Sequence, residues 1–140
     1  MAAENPYANI VRQYRPLNEL VPTHWESAFV DAEDGIRLHY TRTGGDKPAV
    51  VLLHGLQVDG LSWLRTAQAL ESNYDVIMPD FRGHGQTGGM GNSVTAEMLI
   101  NDTIALIQAL ELENPFVVGH SMGADIAGRH LHSSYRTGRI

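Results

Sequence analysis

The chain has 140 residues, 43% of them apolar and 19% charged, which suits one folded domain with its own core and excludes an intrinsically disordered protein. Its formal net charge is −6, and with ten Lys and Arg and no basic cluster it does not read as a nucleic-acid binder. The absence of cysteine rules out disulfides, thiolate catalysis and Cys-based zinc sites, and no apolar run approaches the ~20 residues that span a bilayer.

Residues 1–24 read as a polar arm carrying Pro6, Pro16 and Pro22. Met1 to Ile10 has no basic stretch followed by an apolar one, so no secretion signal is expected and the location is read as cytoplasmic, with no membrane partner. Within the arm, Asn9 to Leu20 has room for a short helix that Pro16 interrupts. From Trp25 the pattern changes. Ser27 to Val30 reads as a strand, Asp34-Gly35 as a tight turn, and Ile36 to Tyr40 alternates apolar and polar as a half-buried strand does, so the pair forms an antiparallel hairpin.

Thr43 to Pro48 is a loop, and Ala49-Val50-Val51-Leu52-Leu53 is a continuous apolar run suited to a strand covered on both faces. Trp63, Leu64, Ala67 and Leu70 recur at helical spacing, with Ser62 as the expected N-cap. Tyr74 to Met78 is the next strand, and Phe81 to Gly91 a glycine-rich loop. A second helix follows on Ala96, Leu99, Ile100, Thr103, Ile104, Ile107 and Leu110, with Ser93 as cap and Glu97 in its first turn. Pro115 to Val118 is a short strand and Ala124 to Leu131 a third helix. Strand alternating with helix indicates an α/β fold, a predominantly parallel sheet with right-handed crossovers behind the N-terminal hairpin.

Between the last strand and helix lies Gly119-His120-Ser121-Met122-Gly123, a G-x-S-x-G segment. A serine on a sharp strand-to-helix turn has its hydroxyl pushed out of the fold, beside the free N–H groups of the helix start. Glycines at both ends permit the turn, because a Cβ there would meet neighbouring backbone. The alternative is a glycine-rich turn that binds a phosphate at the helix N-terminus. No Lys follows as a P-loop requires, and G-x-G-x-x-G is absent, which counts against it. His54-Gly55-Leu56 ends one strand and Asp80 to Thr87 ends the next, so both are expected on the same rim as Ser121. His54, Asp80, Arg82 and His84 are read as holding loops rather than doing chemistry.

Leu53-His54-Gly55, Asp80-x-x-Gly83-His84-Gly85-x-Thr87 and Gly119-x-Ser121-x-Gly123, in this order and spacing, resemble the N-terminal half of the α/β-hydrolase superfamily over roughly Ser27 to Ile140. The resemblance is to its serine-nucleophile, esterase- and lipase-like members. Serine at position 121 speaks against the dehalogenase and epoxide-hydrolase branches, whose nucleophile is aspartate. It implies a 1–24 arm followed by half of a hydrolase domain at 25–140, and no cofactor or metal. Ser121 would be the nucleophile, the backbone N–H groups of Leu56 and Met122 an oxyanion hole, and His54, Gly55, Gly119, His120 and Gly123 the support of the motif.

A serine hydroxyl needs a base, normally a histidine oriented by a carboxylate. The family supplies both after the nucleophile helix, whereas only 17 residues follow Gly123. On a continuous helix His130 and His132 would lie roughly 13 and 16 Å along the axis from Ser121, too far to take its proton. Asp125 follows in the family's order too, but has no histidine to orient. Two readings therefore stand. One is an ester hydrolase acting on a small ester-like substrate, with acid and histidine supplied by a missing C-terminal half or a partner chain. The other is an inactive truncated hydrolase fold acting as a dimerising or interaction module. In either, the Phe116-Val117-Val118 strand would lack its outer neighbour, so a homo-oligomer is expected.

Overall fold

A computed structural model describes residues 15–89 and 93–131. The hairpin forms as expected, from β1 (Glu26–Asp31) and β2 (Arg37–Arg42), paired antiparallel with Phe29 opposite His39. β3 (Ala49–Leu53), β4 (Asp75–Pro79) and β5 (Phe116–Gly119) are mutually parallel, and β2 runs antiparallel to β4. The order across the sheet is β1-β2-β4-β3-β5. It is thus an α/β fold built on a mixed sheet.

The central strands β3 and β4 are buried along their whole length, as their unbroken apolar sequence requires. Alternate side chains serve two layers. Val50, Leu52, Val76 and Met78 pack with Trp25 against α1 (Leu64–Leu70), while Val51, Leu53 and Ile77 pack against α2 (Ala96–Ala109) and Ile126. Burying a side chain such as Leu52 or Leu53 contributes about 2–3 kcal/mol. No helix among the described residues is long and apolar enough to cross a membrane.

Three expectations are corrected. Ser62 does not cap the first helix; a 3₁₀ turn, Gly60–Trp63, precedes it, and Asp59 caps that turn by accepting from the Leu61 N–H at 2.9 Å. Ser93 does not cap α2; Thr95 Oγ1 does, accepting from the Met98 N–H at 3.2 Å. In each case the cap lies next to the first helical φ/ψ, where its oxygen reaches a free N–H. The third helix, α3, starts at Met122 rather than Ala124 and widens from an α-turn (Met122–Asp125) to π-type winding over Ile126–Leu131. In the arm, Leu17–Leu20 is a single 3₁₀ turn after Pro16. The rest of the expected Asn9 helix and His132 lie outside the described residues.

Candidate active site

Strand β5 ends at Gly119, and α3 begins three residues later. The chain reverses over His120 and Ser121 with the Gly123 N–H bonded to His120 O and the Ala124 N–H to Ser121 O, both at 3.0 Å. The turn is too tight for side chains at its ends. A Cβ on Gly119 would run into the Gly123 backbone, and one on Gly123 into the carbonyls of Leu53 and His54. Ser121 bears the strain, with φ 55° and ψ −118°, a conformation costing on the order of 1–3 kcal/mol for a residue with a Cβ. Its side chain is exposed and caps no helix N–H.

Ser121 faces the β3 loop. A Cβ built on Gly55 would come 3.3 Å from Ser121 Cβ and 3.2 Å from His120 Nδ1, so the two loops are in close contact here. The His120 N–H donates to Leu53 O at 3.0 Å, which locks the turn to the end of β3. The next residue, Leu56, is 63% exposed, and its N–H has no acceptor among the described residues. Met122 sits at the first position of α3, where no carbonyl of its own helix can take its N–H. Gln57 adopts a left-handed φ of 65°, a bend the sequence reading did not anticipate because no glycine marks it. A cleft of about 570 Å³ opens here, walled by Leu56, Met122, His84 and Leu99. Ser121 adjoins that wall through Met122 in the chain and through Gly55, beside Leu56, in space.

The other polar residues of the rim are consumed by structure. His54 is fully buried; its Nε2 accepts the Phe81 N–H at 2.9 Å, so Nδ1 carries the proton and donates to Gly55 O at 2.7 Å. Burial holds its pKa below the usual imidazole range, and the nearby His84 adds to this. With both nitrogens engaged, His54 has no lone pair for a substrate proton. Asp80 accepts from Gly60 N–H, Gln86 N–H and His39 Nδ1–H at 2.8, 2.9 and 2.8 Å. Burial pushes its pKa up, but these three donors outweigh it and leave the carboxyl below its ordinary value. Arg82 makes a bidentate pair with Asp102 of α2, at 2.8 and 2.6 Å, and reaches Asp34 at 2.6 Å. Those carboxylates hold its guanidinium charged more firmly than usual. Asp102 was not singled out in the sequence; a lone acid among the apolar positions of a helix was the available signal.

His84 donates from Nδ1 to Arg82 O at 3.1 Å and lines the cleft. Asp125 also lines the cleft but pairs with Arg129 at 2.7 Å. Among the described residues no group of three His, Asp or Glu is arranged to hold a metal ion.

A family model described as alpha/beta hydrolase fold matches residues 48–132. Epoxide hydrolase 3 of Siraitia grosvenorii is 37% identical over 97 residues, covering 67% of this chain and 30% of that protein. N-formylmaleamate deformylase of Pseudomonas putida is 34% identical, covering 69% and 36%. Among solved structures, an epoxide hydrolase from Vigna radiata superposes with a TM-score of 0.74 at 32% identity, covering 86% of this chain and 39% of that one. An esterase from Exiguobacterium antarcticum superposes with a TM-score of 0.70 at 29% identity, covering 76% and 40%. The chain thus spans about a third of the length of the proteins it matches.

Proposed function

The chain belongs to the alpha/beta hydrolase fold family, and on that premise we propose that it carries the nucleophile half of a serine hydrolase acting on carboxylic esters. The observation that supports this reading best is the exposed, strained Ser121, whose Cβ packs against Gly55, the residue before Leu56, whose N–H has no acceptor among the described residues. Ser121 Oγ would attack the ester carbonyl carbon as its proton passes to a base. The carbonyl oxygen, now an anion, would be held by the Leu56 and Met122 N–H groups. Collapse would expel the alcohol and leave an acyl group on Ser121, and water would then release the acid. An epoxide hydrolase needs a carboxylate at this position, and serine stands there. An esterase and a deformylase among the similar proteins accord with acyl chemistry.

His54 is spent on the Phe81 N–H, so we assign the base and its orienting acid to residues beyond the described ones, in a C-terminal half or a partner chain. The protein would act on a small ester in the cytoplasm. The test is a fluorophosphonate probe applied to this chain and to a form extended to the relatives' length, with the labelled serine located by mass spectrometry. Labelling of Ser121 in the extended form, lost in Ser121→Ala, is expected. An extended form whose Ser121 stays unlabelled would contradict the proposal.

One observation favours the second reading, an interaction module. β5 is an edge strand among the described residues, with Phe116 60% and Val118 44% exposed. An apolar open edge pairs readily with another strand, here that of a second copy. Light scattering then shows a dimer that Val118→Lys splits, and residual ester hydrolysis is indifferent to Ser121→Ala. A wild-type monomer at high concentration would contradict it.

A further inference from the structure

The opposite edge of the sheet holds a serine that, unlike Ser121, is hydrogen-bonded through its side chain. Ser27 Oγ lies 2.7 Å from His39 Nε2, and His39 Nδ1 lies 2.8 Å from Asp80 Oδ2. A carboxylate only accepts, so His39 Nδ1 carries the proton and donates to Asp80. In the neutral ring Nε2 then has a lone pair, and the Ser27 O–H donates to it. The order is hydroxyl, imidazole, carboxylate, with the tautomer that a base-activated serine requires. Ser27 is exposed, whereas His39 is 2% and Asp80 5% exposed.

The hairpin register brings these groups together. The Ala32 N–H bonds to Ile36 O, so alternate residues from Ala32 face β2 with their backbone groups. Ser27 and Phe29 fall on the other set, and the His39 N–H accordingly points away from β1, to Thr87 Oγ1 at 2.9 Å. Side chains are closest in such non-hydrogen-bonded pairs, which lets His39 touch both Phe29, at 5.1 Å between rings, and Ser27. The Ser27 N–H is left directed at the outer edge of β1, where among the described residues it has no acceptor and can donate to an oxygen on a group attached to Ser27. β1 and β5 are opposite edges of the five-stranded order, roughly 19 Å apart at the usual strand spacing, so this serine is separate from Ser121.

We propose that Ser27, activated through His39 and Asp80, is a second nucleophile of this protein, taking the acyl or phosphonyl group of small activated esters and fluoridates. With a fluorophosphonate, the Ser27 O–P bond forms as the P–F bond breaks. The hydroxyl proton passes to His39 Nε2 and then to solvent, and fluoride leaves. The site requires nothing of Ser121.

The experiment uses the Ser121→Ala chain, a fluorophosphonate and peptide mapping. Ser62 and Ser72, exposed serines with no imidazole partner here, are the internal reference. Ser27 is expected to be labelled at least about tenfold faster than either, well below the usual effect of a positioned base. Because Ser27 is the first serine of the chain and Ser62 the second, the labelled fragments are unambiguous. The His39→Gln variant should bring Ser27 down to the reference rate, provided circular dichroism shows it folded. Should it not fold, wild-type protein in urea takes its place, and the Ser27 preference should vanish there. Equal labelling of the three serines in the folded chain, or a Ser27 preference that survives both treatments, would overturn the proposal.

Discussion

Two loops on one rim of the sheet handle their polar atoms in opposite ways. From Asp80 to Thr87 every charged group is spent: Asp80 takes three donors, Arg82 joins two carboxylates, and Thr87 Oγ1 donates to Asp80 O while accepting from His39 N–H. Such a network is stiff and has no free charged group facing the cleft beside Ser121. The turn at Ser121 has the reverse character, with a strained backbone, an exposed hydroxyl and no capping bond. Strain of this kind persists only where the surroundings impose it, and here the close approach of Gly55 and Gly123 does so. On this rim, the density of polar contacts thus marks the scaffold around Asp80 to Thr87, and their absence marks the turn at Ser121.

The sharpest way to break this contrast is to fill the space that imposes the strain. Gly123→Ala drives a Cβ into two backbone carbonyls and should cost on the order of 5 kcal/mol in urea unfolding. Gly55→Ala meets only side-chain atoms at 3.2 and 3.3 Å and should cost about 1 kcal/mol. Equal losses would remove the claim that the turn is held by backbone crowding. Next, Arg82→Met strands the buried Asp102 carboxylate and should cost about 3 kcal/mol by the same measurement. A neutral result would mean the loop is not held by this pair.

A pH effect follows from His54. Its folded pKa lies below the ordinary 6.5, so above pH 6.5 the ring is neutral in both states and its contribution is complete. As pH falls below 6.5 the unfolded chain binds a proton the folded one refuses, and stability drops. Asp80, depressed from 3.8, adds a second loss as pH falls below about 4. Melting temperature should therefore decline between pH 7 and 5, and less so in His54→Asn. A decline of the same size in that variant would contradict the assignment. The smallest effect is expected at the site itself: Ser121→Gly relieves the positive φ and should gain roughly 0.5 kcal/mol, whereas Ser121→Ala keeps the strain and gains nothing. A loss on Ser121→Gly would show the hydroxyl to be structural.

The strands and the serine turn were legible because each carries a local signal. Ala49 to Leu53 is apolar without a break, and Gly119 and Gly123 announce a turn no larger residue could make. Positions that depend on partners distant in sequence were not. Asp102 reads as a polar interruption until Arg82 arrives from the loop after β4, and the bend at Gln57 has no glycine to betray it. Asp59 and Thr95 outcompeted Ser62 and Ser93 as caps, because the helix starts are set by where the 3₁₀ turn and α2 meet the sheet. Ser27 was read as nothing more than a strand residue; its link to Asp80 needs two strands and a loop in register.

In the proposed reaction Ser121 would present its hydroxyl to amide donors at Leu56 and Met122. A crystal structure of the extended protein phosphonylated on Ser121 tests it directly. The phosphonyl oxygen is expected ~2.7–3.1 Å from both N–H groups. An oxygen turned toward solvent, with both N–H groups vacant or bonded elsewhere, would contradict it.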